Sequence, residues 1–98
     1  MSARSPSGAE AAVPSYMVEA YMPCSQVREA HAAARRVAAA AVDLSRDGTD
    51  VRHLQTTSLP DDETCFHLVE APSFDAVKEL SGRARLGRTR IVRAVEAR

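Results

Sequence analysis

Aromatic residues are scarce in this chain: two tyrosines, two phenylalanines and no tryptophan among 98 residues. That scarcity argues against a sheet that stacks single-stranded bases, because such surfaces are built on exposed rings. Net charge is missing as well. Lysine plus arginine and aspartate plus glutamate both total 13, so the overall field favours neither nucleic acid nor a membrane. Cysteine is sparse, and Cys24 and Cys65 form neither a C-x-x-C unit nor a disulfide framework. No apolar run is long enough to span a bilayer. The first residues are mainly Ser, Ala, Gly and Pro without an apolar h-region. The expectation is therefore a cytoplasmic protein with both thiols reduced. Catalytic signatures are also lacking, with no Gly-rich phosphate loop, nucleophile elbow or paired-histidine helix motif. Nothing here supports an enzymatic reading.

The length suits one domain with one modest core, and self-association is expected of a domain that leaves much of its sheet exposed. Residues 1–15 lack periodicity and are expected to form a disordered tail, leaving 16–98 as the domain. Tyr16 to Met22 alternates as a strand and Pro23 ends it. Ser25 is placed to cap a helix running to about Ser45. Val27, Ala30, His31, Ala34, Val37, Ala38, Ala41 and Leu44 form its apolar face, and Asp47-Gly48 stops it. Val51–Leu59 and Glu63–Ala71 read as two further strands around the turn residues Pro60-Asp61-Asp62. Pro72 and Ser73 open a second helix with Phe74, Val77 and Leu80 buried, and Arg90–Glu96 is the last strand. This β-α-β-β-α-β order predicts an α+β, ferredoxin-like fold. Its four-stranded antiparallel sheet has order 4-1-3-2 and carries both helices on one face.

The sheet phases follow from placing apolar residues under the helices. Val18, Ala20, Met22, Leu54, Phe66, Leu68, Val92 and Ala94 are assigned there. Strict alternation then sends Glu19, His53, Cys65 and His67 to the open face. These are carboxylate, imidazole and thiol donors suited to a soft or borderline divalent metal. Strands about 4.8 Å apart would let two or three of them share one ion. The competing reading is an open face that is polar simply because it meets water or a partner. Cys24, just before the first helix, is a candidate reactive thiol, with an ordinary loop thiol as the alternative. His31 reads as a core-edge histidine. Lys78 to Arg98 holds seven bases against two acids, a solvated rim by preference over a phosphate site.

The hairpin loop bears on all of this. The face assignment requires a loop of three or five residues, or a repairing bulge, because a one-residue slip reverses a strand's faces. Three residues, Pro60 to Asp62 with Leu59 opposite Glu63, suit the turn chemistry and leave His53 diagonal to His67. Five would set the two histidines directly opposite.

Three stretches carry a resemblance: Tyr16-Met-Val-Glu-Ala-Tyr-Met-Pro23, Leu59-Pro-Asp-Asp-Glu-Thr-Cys-Phe-His-Leu-Val-Glu-Ala-Pro-Ser73 and Arg90-Ile-Val-Arg-Ala-Val95. Together they resemble a family of small bacterial ferredoxin-like proteins of unassigned role, some classed as nickel-binding. The resemblance implies the same fold, a homodimer and nickel as the metal. Zinc or copper would suit the same imidazole and thiolate donors. Glu19 and Cys65 lie inside the matched segments and carry over as candidate ligands, whereas His53 and His67 rest on the face argument. Cys24, where a glycine often follows the proline, and Arg93, where an acid is common, depart from the family pattern. The alternative is a dimer whose open face binds a small organic ligand or serves only as an interface.

Overall fold

A computed structural model describes residues 13–21 and 27–95. The chain runs β1 (Ser15–Tyr21), α1 (Val27–Arg46), β2 (Arg52–Leu59), a 3-10 turn (Pro60–Asp62), β3 (Thr64–Glu70), α2 (Phe74–Arg83) and β4 (Thr89–Ala94). The strands form one sheet in the order β2-β3-β1-β4, and each neighbouring pair is antiparallel. This is the expected α+β arrangement, since 2-3-1-4 is 4-1-3-2 read from the other edge. Most of the expected tail, together with Met22, Cys24 and Ser25, lies outside the described residues. At the domain end of the tail, Ser15 already pairs with Glu70 and Ala94, and the Pro14 carbonyl accepts from Ala71 N.

Helix α1 lies mainly over β2, while α2 lies over β1 and β4. Ala30, Val37, Ala40, Ala41 and Leu44 form the buried side of α1. Three of these five are alanines, which favour the helix and let it come close to the sheet. The expected apolar face is partly corrected: Val27 and His31 are exposed, because the helix rotates Ala40 rather than His31 inward. The Gly48 backbone at φ +99 ends α1, and Thr49 N donates back to the Leu44 carbonyl. Ser73 caps α2 by accepting from Ala76 N at 3.1 Å. Val77 and Leu80 are buried as expected. Phe74 is half exposed at the first turn of α2, where Ala76 takes the inward position. Val18, Val37, Leu44, Val69, Val77 and Leu80 anchor the core.

The sheet faces differ from the expectation in three strands, and on β2 it is Leu54, assigned beneath the helices, that is exposed at the bulge. On β1, Tyr16, Val18 and Ala20 are buried under the helices, as the alternation predicts for the last two. On β3 the buried residues are Cys65, His67 and Val69, so Phe66 and Leu68 turn outward. On β4, Ile91 packs toward the core and Val92 is exposed. Pairing fixes these phases, since Val18 opposes both His67 and Ile91, and opposed residues share a face. The hairpin accounts for the reversal of β3. Leu59 pairs with Thr64, so the connection has the four residues 60–63 and not three. Glu63 closes it in the left-handed conformation at φ 52. An even-length loop reverses β3 relative to β2. A bulge does occur, but it lies at the far end of β2, between His53 and Gln55.

Candidate functional site

The face corrections bring three of the expected donors together under the helices and separate the fourth. Cys65 and His67 are buried on β3, and His53 reaches the same face of β2 because the bulge at Leu54 shifts the phase there. Glu19 alternates to the opposite face, where its Oε1 lies 3.5 Å from Arg90 Nη1. The open-face cluster of four is thus replaced by a covered set of His53, Cys65 and His67. Among the described residues no three His, Cys, Asp or Glu side chains converge as a metal-binding group.

Thr56 joins the two histidines. It sits directly opposite His67, and its Oγ1 lies 2.8 Å from His53 Nε2 and 2.8 Å from His67 Nδ1. The imidazole centroids are 6.3 Å apart. A hydroxyl has one proton and accepts through its oxygen, so it donates to one ring and accepts from the other. At His53 burial lowers the pKa and a backbone hydrogen bond to Gln55 opposes that shift. The chain has two senses: in one, His53 Nε2 accepts from Thr56 Oγ1 and Thr56 accepts from Nδ1–H of His67; in the other, both directions reverse. In the first sense His67 Nε2 presents a lone pair, and in the second it carries the ring proton. That atom is buried without a hydrogen-bond partner.

Electrostatics hold both rings neutral. Burial pushes the His67 pKa down to about 4, aided by repulsion from His53 whenever that ring is protonated and by the positive charge of Arg36. Arg36 is anchored on α1 by donating from Nε to the Ala84 carbonyl at 2.8 Å. Burial also lowers the pKa of His53. Next along β3, the Cys65 thiol is pushed up by burial, and a hydrogen bond with Ser58 opposes the rise. His53 is only partly buried and lines an open groove of about 550 Å³ with Ala38, Ala41, Val42 and Ser45. The hydrogen-bond chain therefore runs from a solvent groove through Thr56 to a buried imidazole nitrogen.

Compared with known proteins, the chain matches no family model, no curated protein and no solved structure. Its chemistry must be read from the site itself.

Thr56 and Ser58 are the residues that sequence reasoning missed. Both face the helices, opposite His67 and Cys65 respectively. A run of hydroxyl residues at Thr56-Thr57-Ser58 reads as surface strand. It becomes informative only once the cross-strand partners are known. The arginine-rich segment behaves as a salted rim: Arg83 pairs with Glu79 and Asp47, and Arg90 with Glu19. No helix among the described residues is long and apolar enough to cross a membrane.

Proposed function

We propose that this chain is a small metal-binding or metal-responsive protein, non-enzymatic, that takes a borderline divalent ion, nickel by resemblance. The observation that carries this reading is the buried Nε2 of His67, which has no hydrogen-bond partner and offers a lone pair when Nδ1 holds the proton and donates to Thr56. A metal-ligating histidine typically has its other ring nitrogen bonded to a fixed partner, which sets the tautomer and aims the ring. Thr56 and His53 supply that support. Low basicity keeps the lone pair available at neutral pH, since protons compete with a metal for imidazole. Cys65, two residues along the same face and about 7 Å away by strand geometry, offers a thiol that would lose its proton on ligation. His67 and Cys65 are thus the residues proposed to hold the ion, and His53 acts through Thr56. Glu19 drops out of the ligand set, because it stands on the other face beside Arg90. Zinc or copper remains compatible with the same donors.

Calorimetric titration of metal-free protein with nickel tests this directly. His67→Gln should abolish measurable binding, and Thr56→Val should weaken it about 10- to 100-fold as the loss of a supporting hydrogen bond does. Glu19→Gln should leave affinity unchanged. Unaltered binding in His67→Gln rejects the reading. A second reading, that the chain assembles through its open sheet face, is carried by the residues exposed there.

A further inference from the structure

A cavity of about 380 Å³ lies between α2 and the edge strand β4, lined by Lys78, Ser81, Gly82, Arg85, Thr89 and Ile91. Three of these residues depart from what local stability favours. Ser81 is 7% exposed, and its Oγ is buried without a hydrogen-bond partner, which is costly for a hydroxyl. Gly82 occupies the last turn of α2, where glycine weakens a helix. A Cβ there would meet no atom within 4 Å, so close packing does not call for it. Arg85 closes the helix in the left-handed conformation at φ 54, a place glycine usually takes. Departures of this kind gather where a chain binds something.

We propose that this cavity binds the phosphate group of a small phosphate monoester, with Lys78 and Arg85 as cationic anchors and Ser81 and Thr89 as hydroxyl donors. The charges single out these two bases. Arg83 pairs with Glu79 and Asp47, and Arg90 with Glu19, whereas Lys78 and Arg85 have no carboxylate partner among the described residues. Nor does any carboxylate among those residues line the cavity. Lys78 is kept on this flank by its Nζ, 5.9 Å from the centroid of the Phe74 ring. A phosphate monoester carries about −1.5 to −2 charge at neutral pH, which two cations match. One guanidinium already satisfies both oxygens of a carboxylate. Four donors around one cavity suit the three terminal oxygens of a phosphate better, and Ser81 gains there the acceptor it lacks within the fold.

The end of a helix ordinarily repels an anion, because its free carbonyls carry partial negative charge. Here those carbonyls are taken, Ser81 O by Leu86 N at 3.2 Å and Gly82 O by Arg85 N at 3.1 Å. The cavity also falls within the size of small-molecule sites, roughly 300–1,000 Å³. It therefore has room for an organic substituent beside the phosphate, and Ile91 gives that substituent an apolar wall. The proposal is independent of the metal reading: β4 and β2 are opposite edges of the sheet, and no residue of the cavity is a proposed metal ligand.

Amide NMR titration of the full, metal-free chain at constant ionic strength tests it. Inorganic phosphate should shift residues 78–91 and saturate with a Kd of roughly 1 mM or tighter. Methyl phosphate should bind at least as well, and acetate about 10-fold more weakly. Arg85→Gly should weaken phosphate binding about 10-fold or more by removing a charge-assisted bond. The same variant should raise the thermal midpoint by a few degrees as the left-handed strain is relieved, an opposite movement that a purely structural arginine would not give. Ser81→Ala should weaken binding about 5-fold without lowering the midpoint. Arg83→Gln, on the paired rim, should leave binding within about twofold of wild type. No shift in the wild-type chain at roughly 10 mM phosphate overturns the proposal without any variant. Acetate binding as tightly as phosphate, methyl phosphate being excluded, or phosphate binding that survives Arg85→Gly unchanged overturns it as well.

Discussion

On the helix-covered face the central row reads Thr56, His67, Val18 and Ile91, whereas the adjoining row of the open face reads Gln55, Leu68, Met17 and Val92. The covered row holds an imidazole with no solvent exposure and the open row holds two bulky aliphatic chains. Hydrophobicity alone would exchange them. What decides the arrangement is the partner available to each group. His67 bonds to Thr56 across the β2–β3 ladder, which offsets much of the penalty for burying a polar ring. Phe66 and Leu68 need only an apolar surface, and a second chain can supply it. Burial within one chain therefore does not measure how apolar a residue is.

The largest expected effect probes the covered row by pH. His67 has a native pKa of about 4 against an ordinary value of 6.5. Between these values the unfolded chain binds a proton that the native ring refuses. Its contribution is thus complete above about 6.5 and is lost as pH falls toward 4, amounting to up to about 3 kcal/mol. The lowered pKa of His53 acts with the same sign. Urea midpoints measured from pH 7 to pH 4 should show this slope, and His67→Leu should flatten it. An equal slope in the variant would mean the ring is not held neutral.

A second comparison uses neighbours on β3. Val69 has no exposed surface, so Val69→Ala should cost about 2 kcal/mol through lost burial and a residual cavity. Leu68→Ala removes more carbon from the open face, yet in dilute monomer it should cost less than about 0.5 kcal/mol. If the two losses are equal, or reversed, the face assignment fails. Thr56→Val is expected to destabilise by about 1–2 kcal/mol, because it leaves both imidazoles short of a partner, and Thr56→Ser should restore most of that. Smallest of all, Arg52→Ala removes an exposed ion pair with Glu70 and should change stability by less than about 0.5 kcal/mol. A larger loss would show that this corner is covered.

Much of the fold is legible from punctuation and periodicity. Pro60-Asp61-Asp62, Asp47-Gly48 and the Ser73 cap mark boundaries that the chain keeps to within a residue or two. Strand order follows from element order. The site is less legible because β3 satisfies two phases equally well. Cys65, His67 and Val69 or Phe66 and Leu68 can each be read as the buried set. The tie is broken by one additional loop residue, Glu63 in a left-handed backbone state that glycine usually occupies. No side-chain pattern signals that choice. His53, Cys65 and His67 share one face, but it is the helix-covered face, and Glu19 stands on the other.

The bulge gives β2 something like a reading frame. Leu54 is the unpaired residue between His53, opposite Val69, and Gln55, opposite Leu68. Deleting it would join two segments already in phase with β3, and His53 would stay on the histidine side. Deleting Thr57 instead would shift one side of the break relative to the other, and either the Leu59 end or the Thr56 end would change faces. A single-codon deletion should therefore be tolerated at Leu54 and ruinous three residues later. Natural length variation in this strand would be confined to one position.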